Sequence, residues 1–479
     1  MASAARDMPD KQAPEKLDPS VYRICFVALF GPLLSQVDAT IVNVSLSGLA
    51  AELHSSLSTI QWVTSAYLLA LTLVLPLNGW LLERIGAKRL FLVCLTGFTI
   101  SSALCGLAWS AGSLIAFRAF QGISGGLMAP MAQMLVARAA GKNMSRVVGY
   151  MSLPVLFAPI AGPMLAGVIL QYATWRWLFL VNVPVGLLAL VLAFTLLPED
   201  RQDLRPRGLD WGGLALLSPA LVLLLLGTQS IAGAIGRLEV VAAMALIGLF
   251  LWHARDKADA ALVDLKLFKG MVFRACAITQ FLSNGALFAG QMLVPVFLVD
   301  ACGRAPTEMG WMLAPLGLGM MVSSLAMSTL TRRLGTRRLV RSGTALATVS
   351  TLAFVWLAWQ WGHGHGLDLR LLLPALFLRG MGQGSVGLPT MSAAYTAIDK
   401  RELAMATTSI NIVQRIGGPT MTTLCATLLA WRLEVEGHSA FHAGMNAYGW
   451  AFAALALIHG LIWLVAGRLP AGLDGHPKR

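Results

Sequence analysis

The sequence predicts an all-α integral membrane protein: fourteen transmembrane helices, as two six-helix bundles with two inserted helices between them. Three observations carry that prediction. Apolar segments of about twenty residues recur along the chain, each long enough to cross a hydrocarbon core of about 30 Å. Lys and Arg collect at alternate segment ends. A charged turn around Gly86 returns around Gly335 in the same setting.

The first observation excludes a soluble domain. The 479 residues are 57% hydrophobic and 12% charged, with a mean hydropathy of +0.70. Backbone polar groups in lipid must be bonded within their own segment, so the spans are helices. They fall near 21–46, 60–82, 89–109, 112–137, 147–171, 177–197, 211–230, 238–254, 272–298, 309–330, 339–361, 369–394, 404–431 and 445–467. Residues 1–20 are polar and Pro-containing, lack a signal-peptide core, and read as a disordered cytoplasmic tail. The expected organisation is a tail at 1–20, an N-terminal bundle at 21–198, a linker with two additional spans at 199–271, a C-terminal bundle at 272–468 and a tail at 469–479.

The second observation orients the chain. A net charge of +13 could indicate nucleic acid, but its distribution indicates topology instead. Of 36 Lys and Arg, 28 fall on the side of the N-terminus and five on the other. Both termini are therefore expected in the cytoplasm. The remaining three, Arg118, Arg379 and Arg415, lie inside spans.

In chain order, the first span carries Asp38, the only acid deep in any span. An ionised carboxylate there costs about 2.5–3.5 kcal/mol, so it needs a function or a partner. Ser35, Asp38 and Ser45 mark one polar face, and Gln36, Thr40, Asn43 and Ser47 a second. A helix polar on two sides is surrounded by protein or water. The second span contains Trp62 and Tyr67 and ends in a charged glycine turn, Gly79 to Arg89, with Glu83, Arg84, Gly86 and Lys88. Such a turn suits a clasp between cytoplasmic helix ends. Glu83 to Leu90 aligns without a gap on Arg332 to Leu339, 249 residues later. The fourth span has Arg118, Gln121, Gly122, Gly126 and Gln133, and its Arg118–Gly122 stretch resembles Arg379–Gly384 with one residue inserted. Two matches in the same order imply an internal duplication, with spans 9–14 repeating spans 1–6. The fifth span combines Pro154, Pro159 and Pro163 with Ala158, Gly162 and Ala166, which bend a helix and flatten a contact face.

Catalytic and metal chemistry have little support. Six cysteines form no CxxC, and His363 and His365 lack a third ligand. No P-loop or HExxH occurs, and no cofactor, metal site or catalytic residue is expected. An intramembrane enzyme or receptor has no catalytic constellation or loop domain here.

These residues together resemble the major facilitator superfamily, and more closely its fourteen-helix drug:proton antiporter family of EmrB/QacA type, MdtD-like members included. Gly79–Arg89 resembles the clasp motif. Leu114–Gly126 resembles the helix 4 motif with its membrane arginine. Ala158–Gly167, with Pro159, Gly162, Pro163 and Gly167, resembles the helix 5 antiporter motif. Asp38–Asn43 and Trp175–Gly186 resemble signatures of the fourteen-helix branch. The chain departs from the pattern in Glu83, where the family has Asp, and in Val155, Ala158 and Ala166, where it often has Gly. The resemblance implies the major facilitator fold and a secondary active transporter of the inner membrane. It implies that this transporter exports small molecules such as drugs or amphipathic compounds by alternating access in exchange for protons. Asp38 and Arg118 are then the coupling residues. Gln36, Trp62, Tyr67, Gln121, Asn284 and Gln291 are expected to line the cargo cavity, by helix and polarity. The implied partners are small-molecule cargo, protons and the bilayer, with no nucleic acid; the chain works as a monomer or within an efflux assembly. The alternative cargo is a metabolite such as an organic acid or a metal chelate, which three intramembrane arginines against one aspartate would suit. The structural alternative for those arginines is bonding to helix carbonyls, more expected of Arg415 than of Arg118.

Overall fold

The computed structural model describes residues 18–141, 147, 153–199, 208–231, 233–257, 261–305, 308–363, 366–399, 402–436 and 441–470. The tails, His365 and the side chains of Asn43, Ser47, Pro154, Ala158, Pro159 and Pro163 lie outside the described set. Helices account for all regular structure among the described residues.

α1 (Pro19–Ile41) passes through a 3-10 turn, Val42–Ser45, into α2 (Leu46–Glu52). α3 (Leu57–Val74) and α4 (Asn78–Ile85) follow, then α5 (Ala87–Gly106), α6 (Ala111–Ala140), α7 (Leu153–Tyr172), α8 (Trp177–Leu180) and α9 (Asn182–Leu196). α10 (Trp211–Gln229) and α11 (Ala234–Lys257) precede α12 (Met271–Val296) and α13 (Met309–Gly362), which is kinked at Gly335. α14 (Leu369–Gly384), α15 (Gly387–Thr396), α16 (Leu403–Glu436) and α17 (Phe441–Ala466) complete the chain. Short turns and 3-10 segments join several of these helices end to end into longer rods. Among the described residues, nine helical stretches are long and apolar enough to cross a membrane. α6, α14 and α16, which carry Arg118, Arg379 and Arg415, are not among the nine.

Local chemistry sets the helix starts. Asp18 accepts from Ser20 N at 2.8 Å ahead of Pro19, Ser56 caps α3, and Ser110 and Ser113 form a capping box on α6. The two turns matched in sequence share one backbone shape: Gly86 has φ 90° and ψ 164°, Gly335 φ 74° and ψ 160°. L-residues with side chains avoid that region, so glycine is required at both places.

Lipid offers apolar groups no reason to leave it, so small residues and polar bonds hold such helices together. A Cβ on Gly122 would collide with the Tyr67 carbonyl, and one on Gly126 with that of Leu71. In the second half, Gly380 lies against the Leu316 carbonyl and Gly384 near that of Met320. Leu316 and Met320 stand 249 residues after Tyr67 and Leu71, the same offset as the turns. This contact register corrects the second sequence match by one helical turn. Gly122 corresponds to Gly380, so Arg379 takes the place of Gln121, and Leu376 takes that of Arg118. Glycines spaced one turn apart allow either alignment in sequence, and only backbone contact decides between them.

α10 and α11 sit over the seam between the halves. Leu217, Leu221 and Phe250 pack with Leu75 at the end of α3 and with Ile412 and Ile416 of α16. Ser218 donates to the Leu73 carbonyl at 2.8 Å. Asp210 caps α10 through Gly213 N at 3.0 Å, bonds His253 of α11 at 2.8 Å and accepts from Leu262 N at 3.2 Å.

Candidate functional site

Five rods converge on Asp38. Its carboxylate is fully buried. Arg118 Nη1, from α6, donates to Oδ2. Gln121 Nε2 and Asn182 Nδ2 each donate to Oδ1 at 3.0 Å. The same two amides donate to Ser102 Oγ at 3.1 Å, and Ser102 donates onward to the Phe179 carbonyl at 2.9 Å. Arg118 also donates to Gln121 Oε1 at 2.7 Å and, through Nε, to the Val63 carbonyl at 3.1 Å. The Tyr67 ring lies 4.2 Å from its guanidinium carbon, and the Tyr67 hydroxyl pairs with Ser35 Oγ at 2.8 Å.

This arrangement explains how a carboxylate persists at that depth: a full opposite charge and two amide donors replace water. It also restricts the chemistry. Asp38 has no surface left for cargo, and a proton reaches it only if helices part. The fork of a guanidinium suits this position, because one side chain bonds a carboxylate, an amide and a carbonyl together.

The expected coupling residues, Asp38 and Arg118, are thus in direct contact. The expected cavity residues divide. Tyr67 and Gln121 are buried within the Asp38 network rather than lining a cavity. Asn284 Nδ2 donates to the Gln414 carbonyl at 2.8 Å and ties α12 to α16. Gln36 is half-buried, while Trp62 and Gln291 are exposed. Side-chain length and polarity gave no indication of which neighbour each would meet. Asn182 and Ser102 had no role assigned from sequence. Asn182 had a signal, a lone amide within an apolar segment next to Pro184; Ser102 had none, since serine commonly bonds its own helix.

In the glycine turn, a Cβ on Gly79 would lie 2.6 Å from Met405 Sδ and 3.2 Å from Thr408 Oγ1 of the other half. Asn78 Nδ2 donates to Thr408 Oγ1 at 2.9 Å. Gln133 Oε1 accepts from Asn411 Nδ2 at 2.8 Å and Tyr395 OH at 3.1 Å. These contacts close the halves at the end that holds both glycine turns. Arg84 lies over Trp80 and Lys88 over Phe194, whereas Arg89 is exposed. On the antiporter helix, Gly162 packs against Thr40 so closely that a Cβ would collide with its hydroxyl, and Gly167 faces open space.

The arginines reverse one expectation. Arg118 bonds a helix carbonyl, and so does Arg379, through Nη2 to Ala286 O at 3.3 Å. Arg415 forms no hydrogen bond or ion pair among the described residues and is exposed. It lies on the face of α16 that carries Thr408 and Asn411, the face that meets the other half.

The pattern of the Major Facilitator Superfamily matches residues 28–422. The chain belongs to that superfamily, a family of membrane transporters. The multidrug resistance protein B homolog of Mycobacterium tuberculosis (strain ATCC 25618 / H37Rv) is 32% identical over 431 residues, covering 88% of this chain and 78% of the relative. An MdtD-like multidrug resistance protein of Cronobacter sakazakii (strain ATCC BAA-894) is 29% identical, covering 93% and 94%. Among solved structures, the human organic anion transporter MFSD10 superposes with a TM-score of 0.62 at 18% identity, covering 94% of this chain and all of that one. The proton:xylose symporter XylE gives 0.59 at 17%, covering 91% and 94%. These two likenesses concern the fold.

Proposed function

We propose that this transporter is a proton-coupled antiporter that exports small molecules across the inner membrane by alternating access. The observation that carries the reading is the closed Asp38 network: one deep carboxylate, joined to helices α1, α3, α5, α6 and α9 through Arg118, Gln121 and Asn182. A buried carboxylate binds a proton more readily when a nearby cation withdraws. A rocking motion that separates Arg118 from Asp38 on one side of the cycle favours proton uptake there, and its return favours release. Equal affinity in both states would do no work.

In this reading both termini are cytoplasmic, residues 21–198 and 272–468 are the rocking bundles, and 199–271 is the insert. The contact of Gly79 with Met405 and Thr408 then closes the cytoplasmic end, and Glu83 with its neighbours biases that state. Cysteines introduced at 203 and 266 should label only in permeabilised cells, and at 305 and 438 in intact cells.

The decisive test is Asp38→Asn in everted vesicles energised by ΔpH, with a panel of anionic, neutral and cationic dyes. Asparagine keeps the size and most hydrogen bonds but cannot titrate. Uphill dye movement should vanish while downhill exchange survives. Uphill movement by Asp38→Asn on ΔpH alone would show that Asp38 is structural.

A further inference from the structure

α16 turns one face toward the first half. Met405 and Thr408 press on Gly79, and Asn411 bonds Gln133. Thr408, Asn411 and Arg415 follow i, i+3, i+7, so Arg415 points the same way. It stands about 10 Å beyond the Thr408 contact, just past the layer where the halves meet. There the Arg415 guanidinium is exposed, within electrostatic reach of Tyr67 of the first half. On the neighbouring α12, Asn284 binds the Gln414 carbonyl and Phe288 packs on Gly418, on either side of Arg415 along α16.

A guanidinium in mid-span normally bonds a carbonyl, pairs with an acid, or reaches back to the interface. Arg415 does none of these among the described residues. It lies twelve residues into α16, about 18 Å along the axis, too deep to reach the helix start. Every described carboxylate other than Asp38 sits at or near a helix end or in a loop, and Asp38 is occupied by Arg118, Gln121 and Asn182. The described interior therefore offers an approaching cargo an open cation and no open anion.

We infer that Arg415 is the recognition group for cargo bearing a carboxylate or similar monovalent anionic group, bound between the halves with Phe288 alongside. This rests on the reading of the protein as a small-molecule exporter and names the class of cargo. It also separates tasks: Asp38 handles the proton in the first half, Arg415 holds the cargo from the second, and the two charges do not compete for one group.

The test is a binding measurement without ΔpH, so that it stands apart from the coupling assignment. Purified full-length protein in detergent is titrated with benzoate, benzyltrimethylammonium and chloride, following the thermal unfolding midpoint. Benzoate should stabilise the wild type in a saturable way, and Arg415→Gln should weaken its apparent affinity at least about tenfold, as expected for loss of a charged hydrogen bond. Arg415→Lys should fall between, since it keeps the charge and loses the fork. Four outcomes overturn the inference: no benzoate effect in the wild type, an undiminished effect in Arg415→Gln, stabilisation by benzyltrimethylammonium alone, or a chloride effect equal to that of benzoate, which makes the site an inorganic counter-ion site. In each of these the Asp38→Asn vesicle result still decides the coupling reading independently.

Discussion

Arg118 and Arg379 are 0% and 1% exposed, on helices that pack the same way against matching carbonyls, yet their surroundings differ. In the first half, Arg118 meets a carboxylate, an amide and a carbonyl. In the second, Arg379 meets one carbonyl, and its Nε and Nη1 have no hydrogen-bond partner among the described residues. Gly290 gives it room, since a Cβ there would overlap the guanidinium, and His459 of α17 lies within electrostatic reach. The pseudo-symmetric scaffold thus holds a neutralised pair in one half and a bare cation in the other. Symmetry of backbone packing does not impose symmetry of charge.

The largest expected effect breaks that contrast directly. Arg118→Met leaves Asp38 buried and unpaired and should cost about 3–5 kcal/mol of stability. Arg379→Met removes a cation with no acid beside it and should be neutral or stabilising. Thermal unfolding of both variants checks this; equal losses would mean that Arg379 has a structural counter-charge after all.

Packing symmetry can be sharpened separately. Gly122→Ala and Gly380→Ala each force a methyl group into a backbone carbonyl and should cost about 1–3 kcal/mol apiece. Similar drops in unfolding midpoint support the contact register. A harmless Gly380→Ala alongside a damaging Gly122→Ala would refute it.

The α10–α11 pair is held partly by Asp210. Burial raises its carboxyl pKa, but hydrogen bonds from His253 and from the Gly213 and Leu262 amides outweigh this and leave it below the ordinary carboxylate value. A lowered folded pKa means that the contribution is present above the unfolded value and is lost as pH falls through the folded one. Asp210→Ala should cost about 1 kcal/mol at neutral pH, the usual value of an N-cap. Its deficit against the wild type should shrink in acid below the ordinary carboxylate range, as followed by unfolding at several pH values.

The smallest effect concerns the seam. Gln133→Ala removes the acceptor shared by Asn411 and Tyr395, worth about 0.5–1.5 kcal/mol, and should shift the two access states by about two- to tenfold. Spin-label distances across the glycine-turn end would show a larger open population. An unchanged distribution would mean that Gly79 packing alone closes that end.

Much was legible in the sequence because lipid is a severe solvent. It forces helices, makes Asp38 and the three arginines conspicuous by their cost, and leaves Gly86 and Gly335 as paired marks of duplication. The all-helical architecture could be read from composition and span length, the superfamily from the resemblance of its motifs, and Asp38 and Arg118 stood out as charges inside spans. Tertiary structure alone decided what depended on rotation and register of one helix against another. It put Gln121 and Tyr67 into the Asp38 network, recruited Ser102 and Asn182 to it, moved Asn284 into a helix tie, and slid Arg379 one turn from the place the repeat suggested. It also left Arg415, the arginine most expected to bond a carbonyl, facing open space. Polarity states that a side chain needs a partner; only the packed position of its helix determines which partner it finds, or that it finds none.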